Sequence, residues 1–201
     1  MSVDKVIIRT FLSTLAAIAL LFGIMLLALV AFFPSTMMEL TYNLGMDASS
    51  IRYAERAYDW HKDEYFIVHA METAIGMKDT EKIEECGERF IADEKFDEYC
   101  AAQNKRLPEG VELTYEQYVY GQVCVAKYEN GDKVGAVARA FELTVGFPQN
   151  NAVVAVLYTA IADGDTTTIQ WIREKMNGLN PQTFSASEKA YFDEVFALTN
   201  G

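Results

Sequence analysis

The chain has 201 residues, 51% of them hydrophobic, with 29 Asp and Glu against 17 Lys and Arg and a formal net charge of −12. So acidic a chain repels phosphate backbones, and without a basic stripe it excludes nucleic acid as a partner class. Four prolines and 12 glycines are too few for a disordered or fibrous protein, so the part outside any membrane segment is expected to fold.

Residues 11–33 are 23 consecutive uncharged positions in which only Ser13 and Thr14 carry hydroxyls. At about 1.5 Å per residue such a helix covers the roughly 30 Å of bilayer hydrocarbon and satisfies its own backbone there. It is longer than the apolar part of a secretory signal and is followed by no good small-x-small cleavage site, so an uncleaved transmembrane helix is expected. Lys5 and Arg9 precede it, and no base follows until Arg52. Retention of Lys and Arg inside then places residues 1–10 as a cytoplasmic tail and everything after the span outside the cytoplasm, in a single-pass cell-membrane protein. Cys86, Cys100 and Cys124 are an odd number with no zinc-like spacing. They suit buried apolar positions, one disulfide among them stays open, and free thiols would argue against an oxidising exterior.

Residues 34–48 are expected to be a juxtamembrane segment. Pro34 and Ser35 break the span, and a short helix over 36–44 would lay Met37, Met38, Leu40, Tyr42 and Leu44 near the lipid interface. The domain then runs over residues 49–201. Asp47, Ser49 and Ser50 offer caps for a helix over about 51–61, a second helix follows over about 63–77, and the turn Gly76 to Asp79 leads to a third. Residues 79–98 hold nine acids against Lys82, Arg89 and Lys95. They are read as a solvated face over a buried side of Ile83, Cys86, Phe90, Ile91 and Phe96, with no metal site, because no glycine-hinged calcium loop is present. Pro108 and Gly110 mark a loop, taken as a hinge over 104–113. Thr114 and Gln117 form a T-x-x-Q capping box opening a helix to about residue 130, and Ser185 and Glu188 form an S-x-x-E box opening the last one.

The most informative pattern is a repeat. Gly131-Asp132 separates two helical stretches, with Ala136 five residues after the glycine and Pro148 17 after it; Gly164-Asp165 recurs 33 residues later, with Pro181 again 17 beyond. Val134, Val137, Phe141 and Val145 mark one apolar face and Val154, Leu157, Tyr158 and Ile161 another, and neither hairpin can bury such a face alone. This pattern resembles the tetratricopeptide repeat, a two-helix unit with a period of about 34 residues. The resemblance implies an all-α fold in which antiparallel hairpins stack as a short α-solenoid with a concave binding surface, closed by the last helix and its Tyr191, Phe192, Val195 and Phe196. On such a surface Gln117, Gln122 and Asn151 are the candidate partner-binding residues. The layout also resembles single-span, acidic accessory proteins of bacterial export machinery that carry such repeats outside the membrane.

Catalytic signatures are missing. His61 and His69 have no nominated partner, and there is no glycine-rich phosphate loop, no G-x-S-x-G and no H-E-x-x-H. The expectation is a non-enzymatic module with no cofactor and no small-molecule substrate, held at the membrane and binding another protein or peptide as a scaffold or accessory factor. A small structural subunit whose span packs with partner helices is the alternative, and a cysteine-dependent enzyme the remote third.

Overall fold

The computed structural model describes residues 3–111 and 113–200. Met1 and Ser2 of the expected tail, Glu112 of the expected hinge and Gly201 lie outside the described residues. Among the described residues the chain is all-α, with 11 helices and no strand. It divides into two compact units, residues up to 62 and residues from 63 onward. The division therefore falls well after the juxtamembrane boundary read from sequence at 48/49, and the loop expected as a hinge lies within the second unit.

The first unit begins with α1 (Val3–Phe32), a helix unbroken through the apolar run. Its stretch Arg9–Phe32, 24 residues, is long and apolar enough to cross a membrane, and none of it is buried, unlike the core helix of a soluble domain. An N-terminal helix of this kind fits a signal anchor or a signal sequence. The Ser13 and Thr14 hydroxyls are satisfied within the helix, each donating to the Thr10 carbonyl, at 2.8 and 2.9 Å. Its last carbonyls are met from a distance in sequence. The Arg56 guanidinium donates to Val30 O at 3.1 Å and Ala31 O at 2.9 Å, supplying the cation that a helix C-terminus favours and that the last turn of α1 lacks.

Only Phe33 separates α1 from α2 (Pro34–Asn43), because proline at the first helical position needs no N–H partner. α2 packs on α3 (Asp47–His61) and buries Met37, Met38 and Thr41, so the two methionines expected at the lipid interface are instead core. Leu40, Tyr42 and Leu44 remain exposed. α3 starts earlier than its serines suggested, since Ser50 Oγ does not cap but donates to Met38 O at 3.2 Å across the hairpin.

The second unit holds α4 (Glu64–Met77), α5 (Thr80–Ile91), α6 (Phe96–Asn104), α7 (Tyr115–Glu129), α8 (Lys133–Leu143), α9 (Ala152–Ala162), α10 (Thr166–Asn177), a 3-10 turn (Pro181–Thr183) and α11 (Ala186–Leu198). Three hairpins, α4/α5, α7/α8 and α9/α10, close with one turn chemistry. A left-handed residue ends the first helix: Lys78 (φ 58°), Gly131 (φ 94°) and Gly164 (φ 66°). The aspartate after it then donates its N–H back to the carbonyl five residues earlier, Asp79 to Ala74, Asp132 to Lys127 and Asp165 to Ala160, at 3.0, 3.2 and 2.8 Å. Its carboxylate caps the next helix by accepting from Lys82 N, Gly135 N and Thr168 N respectively. The first hairpin shares the turn without the glycine: Gly76 sits inside α4, and Lys78 takes the left-handed conformation.

Packing runs in sequence. α5 lies on α4 and α7, α7 on α8 and α9, and α9 on α8 and α10. Because α9 is covered on more than one side it buries Val153, Val154, Val156, Leu157 and Ala160. The expected stripe holds only for Val154 and Leu157; Tyr158 is 55% and Ile161 38% exposed. Likewise α8 buries Ala136, Val137 and Ala140 while Val134 stands 61% and Val145 90% exposed. α11 adds Phe192 and Val195 to the same core, with the Phe192 ring edge-on to Phe147 at 5.1 Å. Both capping boxes form, at Thr114/Gln117 and at Ser185/Glu188. Asn104 ties the ends of the 105–114 loop together, accepting from Tyr115 N at 2.7 Å and donating to Glu116 at 2.8 Å.

Candidate functional site

α7 and α9 approach closely because Gly121 faces Ala155; a Cβ added at Gly121 would stand 3.5 Å from the Ala155 methyl. Small residues at that crossing leave a groove of about 210 Å³ whose walls include Gln117, Tyr118, Gln122, Asn150 and Tyr158. Its floor is apolar and its rim carries amide and phenol groups, the mixture that holds a polypeptide backbone by hydrogen bonds while burying side chains.

The candidate residues fall into three roles. Gln122 is half-buried on the groove wall. Gln117 lines the groove as well, but its Oε1 accepts from Thr114 N at 3.1 Å, so half of its amide serves the capping box. Asn151 does not line the groove: it is 3% exposed and caps α9, accepting from Val154 N at 3.1 Å and donating to Pro148 O at 2.9 Å. The residue before it, Asn150, stands at the groove instead. An asparagine directly ahead of an apolar run is a capping signal, so this role was open to the sequence.

Beside Tyr118 lies a cluster that sequence reasoning missed. Tyr115 Oη and Tyr118 Oη both donate to the Glu72 carboxylate on α4, at 2.9 and 3.4 Å. The rings of Tyr99, Tyr115 and Tyr118 follow one another at 5.9 and 5.8 Å between centroids. Burial, reinforced by the Glu72 charge, pushes the Tyr115 phenol far up and the Tyr118 phenol up to about 12, so both keep their protons at neutral pH.

A larger hollow of about 560 Å³ opens between α8 and α10, lined by Val134, Val137, Ala138, Trp171, Glu174 and Lys175. Beside the charged Glu174 and Lys175, the Trp171 indole N–H is the one neutral side-chain donor in its lining, so it is the poorer place to fix a chain's register. The three cysteines are buried and not joined in disulfides, and burial pushes the Cys100 and Cys124 thiols up to about 12. Thiols held protonated in this way are weak nucleophiles. Among the described residues no group of three or more His, Cys, Asp or Glu is placed to hold a metal ion.

No family model, no curated protein and no solved structure matches the chain. What stands is an all-helical protein with one long apolar N-terminal helix.

Proposed function

We propose that this chain is a membrane-anchored interaction module whose second unit is a short tetratricopeptide-like solenoid that receives a polypeptide of a partner protein in the α7/α9 groove. The observation that carries the reading is that groove, with its Gly121–Ala155 floor and its rim of Gln122, Asn150 and Tyr158. The shared turn at Asp79, Asp132 and Asp165 supports the stacked-hairpin description, since each hairpin buries its apolar face only against the next. In this reading α1 is an uncleaved span that raises the local concentration of the module at the membrane surface. The bases Lys5 and Arg9 ahead of the span favour the domain outside the cytoplasm.

Gln122→Ala is the clean test, because the Gln117 amide is shared with the capping box. The variant is expected to keep stability within about 0.5 kcal/mol and to lose partner recovery at least about fivefold in affinity capture of solubilised membranes. Normal recovery would remove the groove from the account. For orientation, protease added to right-side-out vesicles should digest residues 63–201; their protection would place the domain on the other side.

A further inference from the structure

We propose that the polypeptide received by the α7/α9 groove is basic, and that one of its Arg or Lys side chains pairs with Glu72 against the faces of Tyr115 and Tyr118. This deepens the groove reading above and rests on it. Charge complementarity is the ground. Residues 63–201 carry 24 Asp and Glu against 12 Lys and Arg. The three helices around the site are poorer still in bases. α4 and α9 contain no Lys or Arg, and the single one on α7, Lys127, is spent on Glu84 at 2.8 Å and Asp132 at 3.4 Å.

Glu72 is exposed, and among the described residues it accepts from two phenols and forms no ion pair. Neutral donors orient a carboxylate but leave its charge uncompensated, whereas a guanidinium or ammonium would neutralise it and lie over the tyrosine rings. No base is among the groups that shift Tyr115 or Tyr118; Arg106 acts on Tyr99, at the far end of the ring series. An acidic segment would be repelled at this place, and a wholly apolar one would bury against Glu72 with nothing to pair it. Tyr118 lines the groove and touches Glu72, so a chain lying between Gln122 and Asn150 brings a side chain to the carboxylate.

The test uses the detergent-solubilised full chain and two fluorescein-labelled peptides, one repeating Gly-Ala-Arg and one repeating Gly-Ala-Gln, read by fluorescence anisotropy. The arginine peptide is expected to bind about tenfold more tightly than the glutamine peptide, and Glu72→Gln to remove that advantage with unchanged helicity by circular dichroism. Glu94→Gln combined with Glu98→Gln, exposed carboxylates elsewhere, should change affinity less than about twofold. Equal loss from the Glu94/Glu98 pair, an unchanged Glu72→Gln variant, or no binding of the arginine peptide would overturn the proposal. If the glutamine peptide binds as tightly as the arginine one and Gln122→Ala abolishes both, the basic partner falls while the groove stands.

Discussion

Gly87→Val is expected to lower the stability of the hairpin domain by about 3 kcal/mol, the cost of forcing extra methyls into a core that cannot yield. Gly87 lies in α5 where it packs on α7, and a Cβ built there would overlap Val123 Cγ2, with Met71 Sδ 3.5 Å away. Both neighbours are fully buried. Glycine in a helix interior normally costs about 1 kcal/mol against alanine, so even Gly87→Ala should destabilise here, the packing clash outweighing the propensity gain. The pairing can be checked by a size switch. Val123→Ala should rescue Gly87→Ala in denaturant melts, giving a coupling of about 1 kcal/mol or more; additive losses would mean that the two helices are not in contact at this point.

Asp165→Ala is expected to cost about 2 to 3 kcal/mol, because one carboxylate serves three elements. Its side chain is 12% exposed and accepts from Lys133 Nζ of α8 at 2.7 Å, from Tyr128 Oη of α7 at 3.1 Å and from Thr168 Oγ1 and N of α10 at 2.8 and 3.1 Å. The hydrogen bond from Lys133, with those from Thr168 and Tyr128, holds the carboxyl well below its ordinary value of 3.8. A carboxyl with a depressed folded-state value stabilises the fold above its unfolded value and loses that contribution as pH falls toward the folded one. Asp165→Asn keeps a capping oxygen and loses the charge. Its stability deficit should therefore be full at neutral pH and shrink as the pH is lowered from about 5 to about 3. A deficit independent of pH would show that the carboxylate is not ionised in its network.

Local chemistry was legible in the sequence wherever one short stretch decides it. The two capping boxes, the Gly-Asp turns at 131–132 and 164–165 and the apolar run all appear where their residues put them. The faces of α8 and α9 were less legible, because a periodicity argument assumes one covered side and α9 is packed by neighbours on several. Val153 and Val156 are therefore enclosed as well as Val154 and Leu157, while Val145 is exposed because it lies beyond the end of α8, in the loop before α9. Ser50 was misread for a related reason: its oxygen finds a carbonyl 12 residues back, a partner that exists only once α2 and α3 pair. The Glu72–Tyr115 contact joins residues 43 apart in sequence, and no spacing rule nominates it. Nor does any sequence pattern single out Gly87, where α5 packs on α7 with no room for a Cβ. Of the three candidate residues, chosen as polar residues on the first helices of the repeat units, Gln117 and Gln122 line the groove, while Asn151 is buried by a capping role that its place ahead of an apolar run already signalled.

The central claim, that the α7/α9 groove of a membrane-held domain receives a polypeptide, is tested most directly by a photo-crosslinking amino acid placed at Gln122 and, separately, at the exposed Glu81 of α5 in the full chain in its native membrane. Discrete adducts of the same partner from Gln122, and none from Glu81, are expected. Adducts from Glu81 with none from Gln122 would contradict the account.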